Sequence, residues 1–396
     1  MTEDFGRFTL PFCSFVVPGE DHPRVGVGVG TDILDLTTAA AIVAPEHREL
    51  FATGTLDAFL AAGYEDWEAV RHALAEWLGD STHEHVVNHH LLPADSVTLR
   101  MPFSVSDYVD FYASEDHASN LGKILRPGQD SLTPNWKHMP IGYHGRAGTV
   151  VASGTPIVRP RGQRRTPEGE VAFGPTERLD LETELGFVVG ARSMMGEPVD
   201  LADFGRHVFG ICLLNDWSAR DIQGWEYAPL GPFLGKSFAT SISPWIVPLA
   251  ALSQARVPAP ERSTPLLPYL DDATAEPWGF DLRFEVSLNG SVISRPPYAG
   301  MYWTPAQMLT HMTVNGASLH TGDLYGSGTI SGPLPDQRGS LIELSWNGQE
   351  PIKLDDGSTR TFLEDGDTVA ITATAAGPNG ETLYLGAVEG TIEPSH

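Results

Sequence analysis

The chain has 396 residues, with 25 Lys+Arg against 51 Asp+Glu for a formal charge of −26, and 41% of it is hydrophobic. That composition is globular, with length enough for a sizeable core, and it excludes disordered, collagen-like and coiled-coil classes. The acidic excess repels polyphosphate and anionic-membrane surfaces, and no run of basic residues offsets it, so the expected partners are small molecules or proteins, with no nucleic acid and no membrane.

In chain order, Met1–Leu10 holds Glu3, Asp4 and Arg7 rather than a basic and then apolar leader. No apolar run reaches the ~18 residues of a membrane span, so a soluble, cytoplasmic chain is expected. Cys13 stands in a loop-like Pro-Phe-Cys-Ser stretch and Cys212 in the apolar run Val208–Leu214. Two such cysteines build neither a disulfide framework nor a thiolate metal site, which fits a reducing compartment.

The 41 glycines and 31 prolines punctuate short β-like runs, the pattern of a mainly-β protein. Arg24–Leu36 predicts two short strands joined at Gly30-Thr31-Asp32. Its G-x-G-x-G spacing is followed by a strand rather than a helix, so a glycine-rich hairpin outweighs a dinucleotide loop. From Leu56 to Leu78, Phe59, Leu60, Val70, Leu74, Trp77 and Leu78 recur at helical intervals, broken at Gly63, and predict two packing helices. The tract His83, His85, His89 and His90 lacks His-Glu-x-x-His spacing and reads as a solvated connector rather than a zinc site. After Leu92-Pro93 the texture shifts to aromatics, prolines and turn dipeptides, which predicts a boundary near Met101 and domains at 1–102 and 103–396. Arg159–Glu170 and Pro258–Trp278 read as loops or crossings.

The carboxylates carry more information. Glu182 and Glu184 lie two apart on a predicted strand and project from one face, which fits a solvated edge and a metal site equally. Asp216 ends the apolar run that starts at Val208, where a buried strand surfaces, and Asp110 is flanked by aromatics in Asp107-Tyr-Val-Asp-Phe-Tyr112. If the four converge, their charge demands a cation, and an all-oxygen set selects a hard one such as Mg²⁺ or Ca²⁺. His117 follows Asp110 by seven residues, and Arg220, Gln223 and Lys236 follow Asp216. Imidazole takes a proton near neutral pH, while the other three are donors for an oxyanion. Each also has a plain alternative: a satisfied loop histidine, a partner for Asp216 or Asp221, a surface lysine.

At these residues the chain resembles the fumarylacetoacetase (fumarylacetoacetate hydrolase) family over essentially its whole length. The most specific stretches are Asp107–His117, Pro134-Asn-Trp136, Gly142-Tyr-His-Gly-Arg146, Asn215–Gln223, Gly231–Phe238, Met301-Tyr-Trp-Thr304 and Ser327–Pro333. The resemblance implies a small N-terminal SH3-like barrel, a large C-terminal β-roll, and a homodimer. It implies Asp110, Glu182, Glu184 and Asp216 as Ca²⁺/Mg²⁺ carboxylates, with Lys236 and Thr240 around an additional Mg²⁺ site that shares Asp216. An ammonium cannot coordinate a cation, so Lys236 could ligate only through its carbonyl oxygen. It further implies His117 as the general base, Glu343 as the acid that orients it, and Arg220, Gln223 and Lys236 as the oxyanion set. Tyr112, Arg126, Tyr143, Gln223, Tyr227 and Thr329 match substrate contacts. The implied reaction is hydrolysis of the carbon–carbon bond of 4-fumarylacetoacetate, a diketo acid. The rivals are an acylpyruvase or hydratase/isomerase of the same superfamily, and a non-catalytic metal-dependent binding protein.

Overall fold

The computed structural model describes residues 4–396, and among these the chain is mainly β. In the N-terminal part, Phe12–Val16, Arg24–Val29, Asp32–Asp35, Leu91–Pro93 and Thr98–Arg100 form a small antiparallel sheet with Arg24–Val29 near its middle. Val29 pairs with Asp32 across a turn in which Gly30 has φ +60°, a conformation glycine adopts without strain. Cys13 is not in a loop: it lies on the first of these strands, fully buried, because Phe12, Cys13 and Phe15 all face apolar neighbours.

The expected helices form at Asp57–Ala62 and Tyr64–Gly79, separated at Gly63 (φ +93°). Their apolar stripe does not stay within the N-terminal part. Phe209 of the strand Val208–Asp216 packs against Phe12, Phe59 and Trp67 with ring centroids 5.5, 5.3 and 5.4 Å apart. Each such aromatic pair contributes about 0.5–1.5 kcal/mol beyond its buried area. The histidine tract is a short helix, Glu84–His89, rather than a connector; buried Val87 anchors it, and His90 bonds Thr38.

The large sheet has the spatial order Gly142–His144, Tyr108–Phe111, Leu324–Gly326, Thr183–Val189, Val208–Asp216, Thr240–Ile242, Val150–Ala152, with Val247–Pro248 pairing on Val208–Asp216. Leu324–Gly326 runs parallel to Tyr108–Phe111, and Thr240–Ile242 runs parallel to Val150–Ala152. All nine residues of Val208–Asp216 are buried because the sheet is covered on both faces. Phe209, Cys212 and Leu214 pack with the N-terminal helices, while Val208, Ile211 and Leu213 pack toward a second sheet. That sheet has the order Ser291–Ser294, Leu282–Leu288, Thr368–Ala376, Thr382–Glu393, Ile157–Val158. A continuous apolar run is what two-sided burial requires.

Arg159–Glu170 is only partly loop: Arg161–Arg165 pairs with Val171–Pro175 as an antiparallel hairpin. Its arginines hide the strand signal, and one of them, Arg165, stacks on Trp225 at 4.6 Å. Residues 258–278 hold no regular element beyond a 3-10 turn at Pro268–Leu270, as expected. No helix of the described residues is long and apolar enough to cross a membrane.

Candidate active site

The large sheet gathers the acids. Asp110 sits on Tyr108–Phe111 in register with Gly326, Glu184 lies near the start of Thr183–Val189, and Asp216 ends Val208–Asp216. Glu182 precedes its strand and bridges to Ser340. Neighbouring strands lie about 4.8 Å apart, and Leu324–Gly326 stands between the strands of Asp110 and Glu184, so these two carboxylates meet over Gly326. One oxygen from each of the four acids lies within 4.8 Å of those of the others, and all four residues are buried. Gly326 leaves room for them, since a Cβ there would sit 2.6 Å from Glu184 Oε2 and 3.3 Å from Asp110 Oδ1.

Burial and the nearby Asp216 push the Asp110 carboxyl up to about 8. Burial and Asp110 likewise raise Glu184 well above the carboxylate range, and burial raises Asp216. Glu182 goes the other way: burial opposes ionisation, but Lys236, Arg220 and His117 together hold it below its ordinary value. The Lys236 ammonium reaches Glu182 and lies 2.6 Å from Asp216 Oδ2. Thr240 donates to Asp216 Oδ1 at 2.8 Å, and the Tyr143 hydroxyl donates to Oδ2 at 3.4 Å. Asp110 Oδ1 and Glu184 Oε1 are buried without a hydrogen-bond partner. Orphaned hard oxygens beside two further carboxylates are a donor set that fits a hard divalent cation.

A second cluster faces this cage. Ser114 caps the helix Glu115–Leu125 by accepting from the His117 N–H at 3.2 Å, which fixes His117 in the first turn. Nδ1 of His117 lies 2.7 Å from Glu343 Oε2, and Nε2 lies 3.9 Å from Glu182 Oε1. Glu343 also accepts from Asn120, Ser331 and Ser340 at 2.9, 3.0 and 2.7 Å. Its burial favours the neutral acid, but His117 and these donors outweigh that and keep its carboxyl below the ordinary value. A carboxylate on Nδ1 holds the proton there and leaves Nε2 as the basic atom, turned to the cage. Arg220 completes the wall: Nη2 is 2.8 Å from Glu182, Nε donates to Asp180 at 2.8 Å, and Nη1 donates to Gln223 at 3.2 Å.

The expected substrate contacts are less uniform. Tyr112 packs edge-on against the His117 ring with centroids 5.4 Å apart, and burial and Glu343 push its phenol up while Arg126 opposes them. Arg126 ends the same helix and donates to Ser131 O at 2.9 Å. The Thr329 hydroxyl is buried and unpartnered. Tyr227, by contrast, is 50% exposed on the turn after helix Arg220–Glu226. A cavity of about 290 Å³ lined by Tyr108, Tyr143, Arg146, Phe233 and Lys236 opens beside the cage. A larger one, about 440 Å³ between Trp67, Arg71 and Trp278, contains none of these groups, so chemistry rather than size locates the site.

The structure thus brings together Asp110, Glu182, Glu184, Asp216, Lys236, Thr240, His117, Glu343, Arg220, Gln223, Tyr112 and Tyr143. Sequence reasoning missed Asp180, Asn120, Ser331 and Ser340, which hold Arg220 or Glu343. For Asp180 a local signal exists, because it stands two residues before Glu182 in an alternating Leu-Asp-Leu-Glu run.

Residues 9–102 match the family model described as fumarylacetoacetase N-terminal, and residues 107–392 match that described as fumarylacetoacetate (FAA) hydrolase C-terminal. The chain is 43% identical over 408 residues to a fumarylacetoacetase of Homo sapiens, covering 99% of this chain and 97% of that protein. It is 43% identical over 406 residues to one of Arabidopsis thaliana, covering 98% and 95%. Among solved structures, a fumarylacetoacetate hydrolase from Exiguobacterium antarcticum superposes with a TM-score of 0.57 at 18% identity, over 98% of this chain and 100% of that one. A maleylpyruvate hydrolase from Sphingobium, solved with manganese(II) and pyruvate, superposes at 0.52 and 15% identity, over 98% and 100%. Matches this long, over both parts of the chain, place it in the fumarylacetoacetate hydrolase family.

Proposed function

We infer that this chain is a hydrolase that cleaves the carbon–carbon bond of 4-fumarylacetoacetate to give fumarate and acetoacetate, the last step of tyrosine and phenylalanine breakdown. The observation that carries the reading is the His117–Glu343 pair, 2.7 Å apart, with Nε2 of His117 turned to a cage of four buried carboxylates. Asp110, Glu182, Glu184 and Asp216 would hold Mg²⁺ or Ca²⁺, with Thr240 and the carbonyl of Lys236 available to a second ion beside Asp216. Such an ion supplies Lewis-acid stabilisation of an enolate.

The protein's own groups account for the remaining steps. His117 takes a proton from water at Nε2, and Glu343 holds the resulting imidazolium by its Nδ1–H. The hydroxide adds to the ketone carbon, and Arg220, Gln223 and Lys236 donate to the oxygen that becomes an alkoxide. Collapse breaks the carbon–carbon bond and leaves fumarate, while the departing acetoacetate carbanion takes up the proton. Tyr112, Arg126, Tyr143, Tyr227 and Thr329 bind the ends of the diketo acid, and Arg126 attracts a dianion that the acidic surface would otherwise repel. On this reading 1–102 and 103–396 are separate domains, the enzyme is a cytoplasmic homodimer, and the site lies wholly in the second domain.

The test follows the loss of diketone absorbance when purified protein meets fumarylacetoacetate, with products identified, in EDTA and after Mg²⁺ or Ca²⁺ is restored. Ion-dependent release of fumarate and acetoacetate is expected. Metal-replete protein that ignores this substrate and turns over an acylpyruvate would overturn the assignment.

A further inference from the structure

Asp180 is fully buried, yet it touches none of the four cage acids and does not reach His117. Its Oδ2 accepts from Arg220 Nε at 2.8 Å and from the Ile342 N–H at 3.0 Å. Oδ1 accepts from the N–H groups of Leu341 and Leu181 at 2.7 and 2.8 Å. Four donors fill a carboxylate's capacity. Two come from the first turn of the four-residue helix Leu341–Leu344, which carries Glu343. The residue before that turn, Ser340, does not cap it, because its hydroxyl is directed to Glu343 instead. The turn's orphan N–H groups therefore depend on Asp180.

We propose that Asp180 is a positioning residue that couples the two halves of the machinery, one buried carboxylate holding both the Arg220 guanidinium and the turn that carries Glu343. Pinning Nε fixes the plane of the rigid guanidinium fork, which sets Nη2 on Glu182 and Nη1 on Gln223. Pinning the N–H groups of Leu341 and Ile342 sets Glu343 within hydrogen-bond reach of His117. Asp180 pairs with Ser218 in the short ladder Leu179–Asp180 with Ser218–Ala219, and Arg220 follows directly, so the strand register itself delivers Arg220 to Asp180. The donor for the developing alkoxide and the orienter of the base then share one anchor, and a shift in either reaches the other.

The inference rests on the proposed roles of Arg220 and Glu343, so wild-type turnover of fumarylacetoacetate is measured first; its absence counts against the function, not against Asp180. Asp180→Asn, Arg220→Lys and the double variant are then compared. Asp180→Asn is expected to lower kcat by about 10–100-fold, the range for loss of a supporting partner, with Mn²⁺ affinity by calorimetry within about threefold of wild type. Its loss should shrink in the Arg220→Lys background, since the part that acts through the guanidinium is already lost there. A kcat near wild type, fully multiplicative losses, or Mn²⁺ affinity falling in step with kcat would each overturn the proposal. If Asp180→Asn does not fold, Asp180→Glu is read the same way. If neither folds while Arg220→Lys and Glu343→Gln do, Asp180 is a structural residue and the proposal fails.

Discussion

Glu343 Oε2 lies 2.7 Å from His117 Nδ1, although the two residues are 226 positions apart in the chain. The contact is buried and fixes which imidazole nitrogen faces the cage. His117→Ala is expected to lower kcat by about 10²–10⁴-fold, the contribution of a positioned base, with divalent-ion binding retained. Glu343→Gln keeps the shape but loses the charge that stabilises imidazolium, so its kcat should fall while KM holds. Steady-state kinetics beside ion titration tests both, and loss of ion binding in His117→Ala would place the residue in the cage instead.

Lys236 is the cation that the cage already contains. Its ammonium lies against Glu182 and Asp216, and those carboxylates favour its charged form even though burial disfavours it. Removing one partner of a buried ion pair typically costs about 3–5 kcal/mol. Lys236→Met in EDTA should therefore melt several degrees below wild type, and it should lack turnover when ions are restored. An unchanged melting temperature would mean that the two acids find protons without strain.

Gly326 tests the cage from the opposite side. Its backbone is not left-handed, so alanine is tolerated there conformationally, but the new methyl would meet Glu184 Oε2 at 2.6 Å. Gly326→Ala should weaken divalent-ion binding by about tenfold or more, as misplacing ligands does. Calorimetry with Mn²⁺ reads the affinity, and unchanged binding would show that Glu184 is not a ligand.

Away from the site, Asp367 links acid sensitivity to one turn. It accepts from Arg360 Nε at 2.9 Å, Asn289 Nδ2 at 2.8 Å and the Glu364 N–H at 2.8 Å. Burial alone would raise its pKa, but Arg360 and the other donors outweigh it and hold the carboxyl below its ordinary value. A lowered folded-state pKa means that the stabilisation is complete above the unfolded value of about 3.9 and disappears as pH falls through the folded one. Asp367→Asn should destabilise the protein by about 1–3 kcal/mol at neutral pH. Denaturant melts should show that gap closing in acid, and a gap constant with pH would remove the ionic contribution.

How far the site was legible depends on where each residue's partners lie. Asp216 was readable because the apolar run Val208–Leu214 demands a two-sided buried strand and the acid ends it. Glu182 and Glu184 were readable as one face by period two, although whether that face was wet or metallic depended on Asp110, Gly326 and Lys236 from other strands. Asp180 alternates just as Glu182 does, yet its meaning comes from Leu341, 161 positions on, which no local pattern reports. The misread elements share another cause. Arginine in the hairpin Arg161–Arg165, proline before the strand of Cys13, and histidine in Glu84–His89 obscure regular structure that neighbouring segments impose.

The order of strands in the large sheet also constrains how the molecule is made. Leu324–Gly326 lies between Tyr108–Phe111 and Thr183–Val189, strands synthesised long before it. A growing chain therefore carries all four cage acids while the sheet that aligns them still lacks the strand between Asp110 and Glu184. Pairings this distant in sequence are slow to form, since loop closure precedes any gain from contact. The cage closes only after about four-fifths of the chain has emerged, so an ion held there would be acquired late rather than serve as the seed around which folding starts.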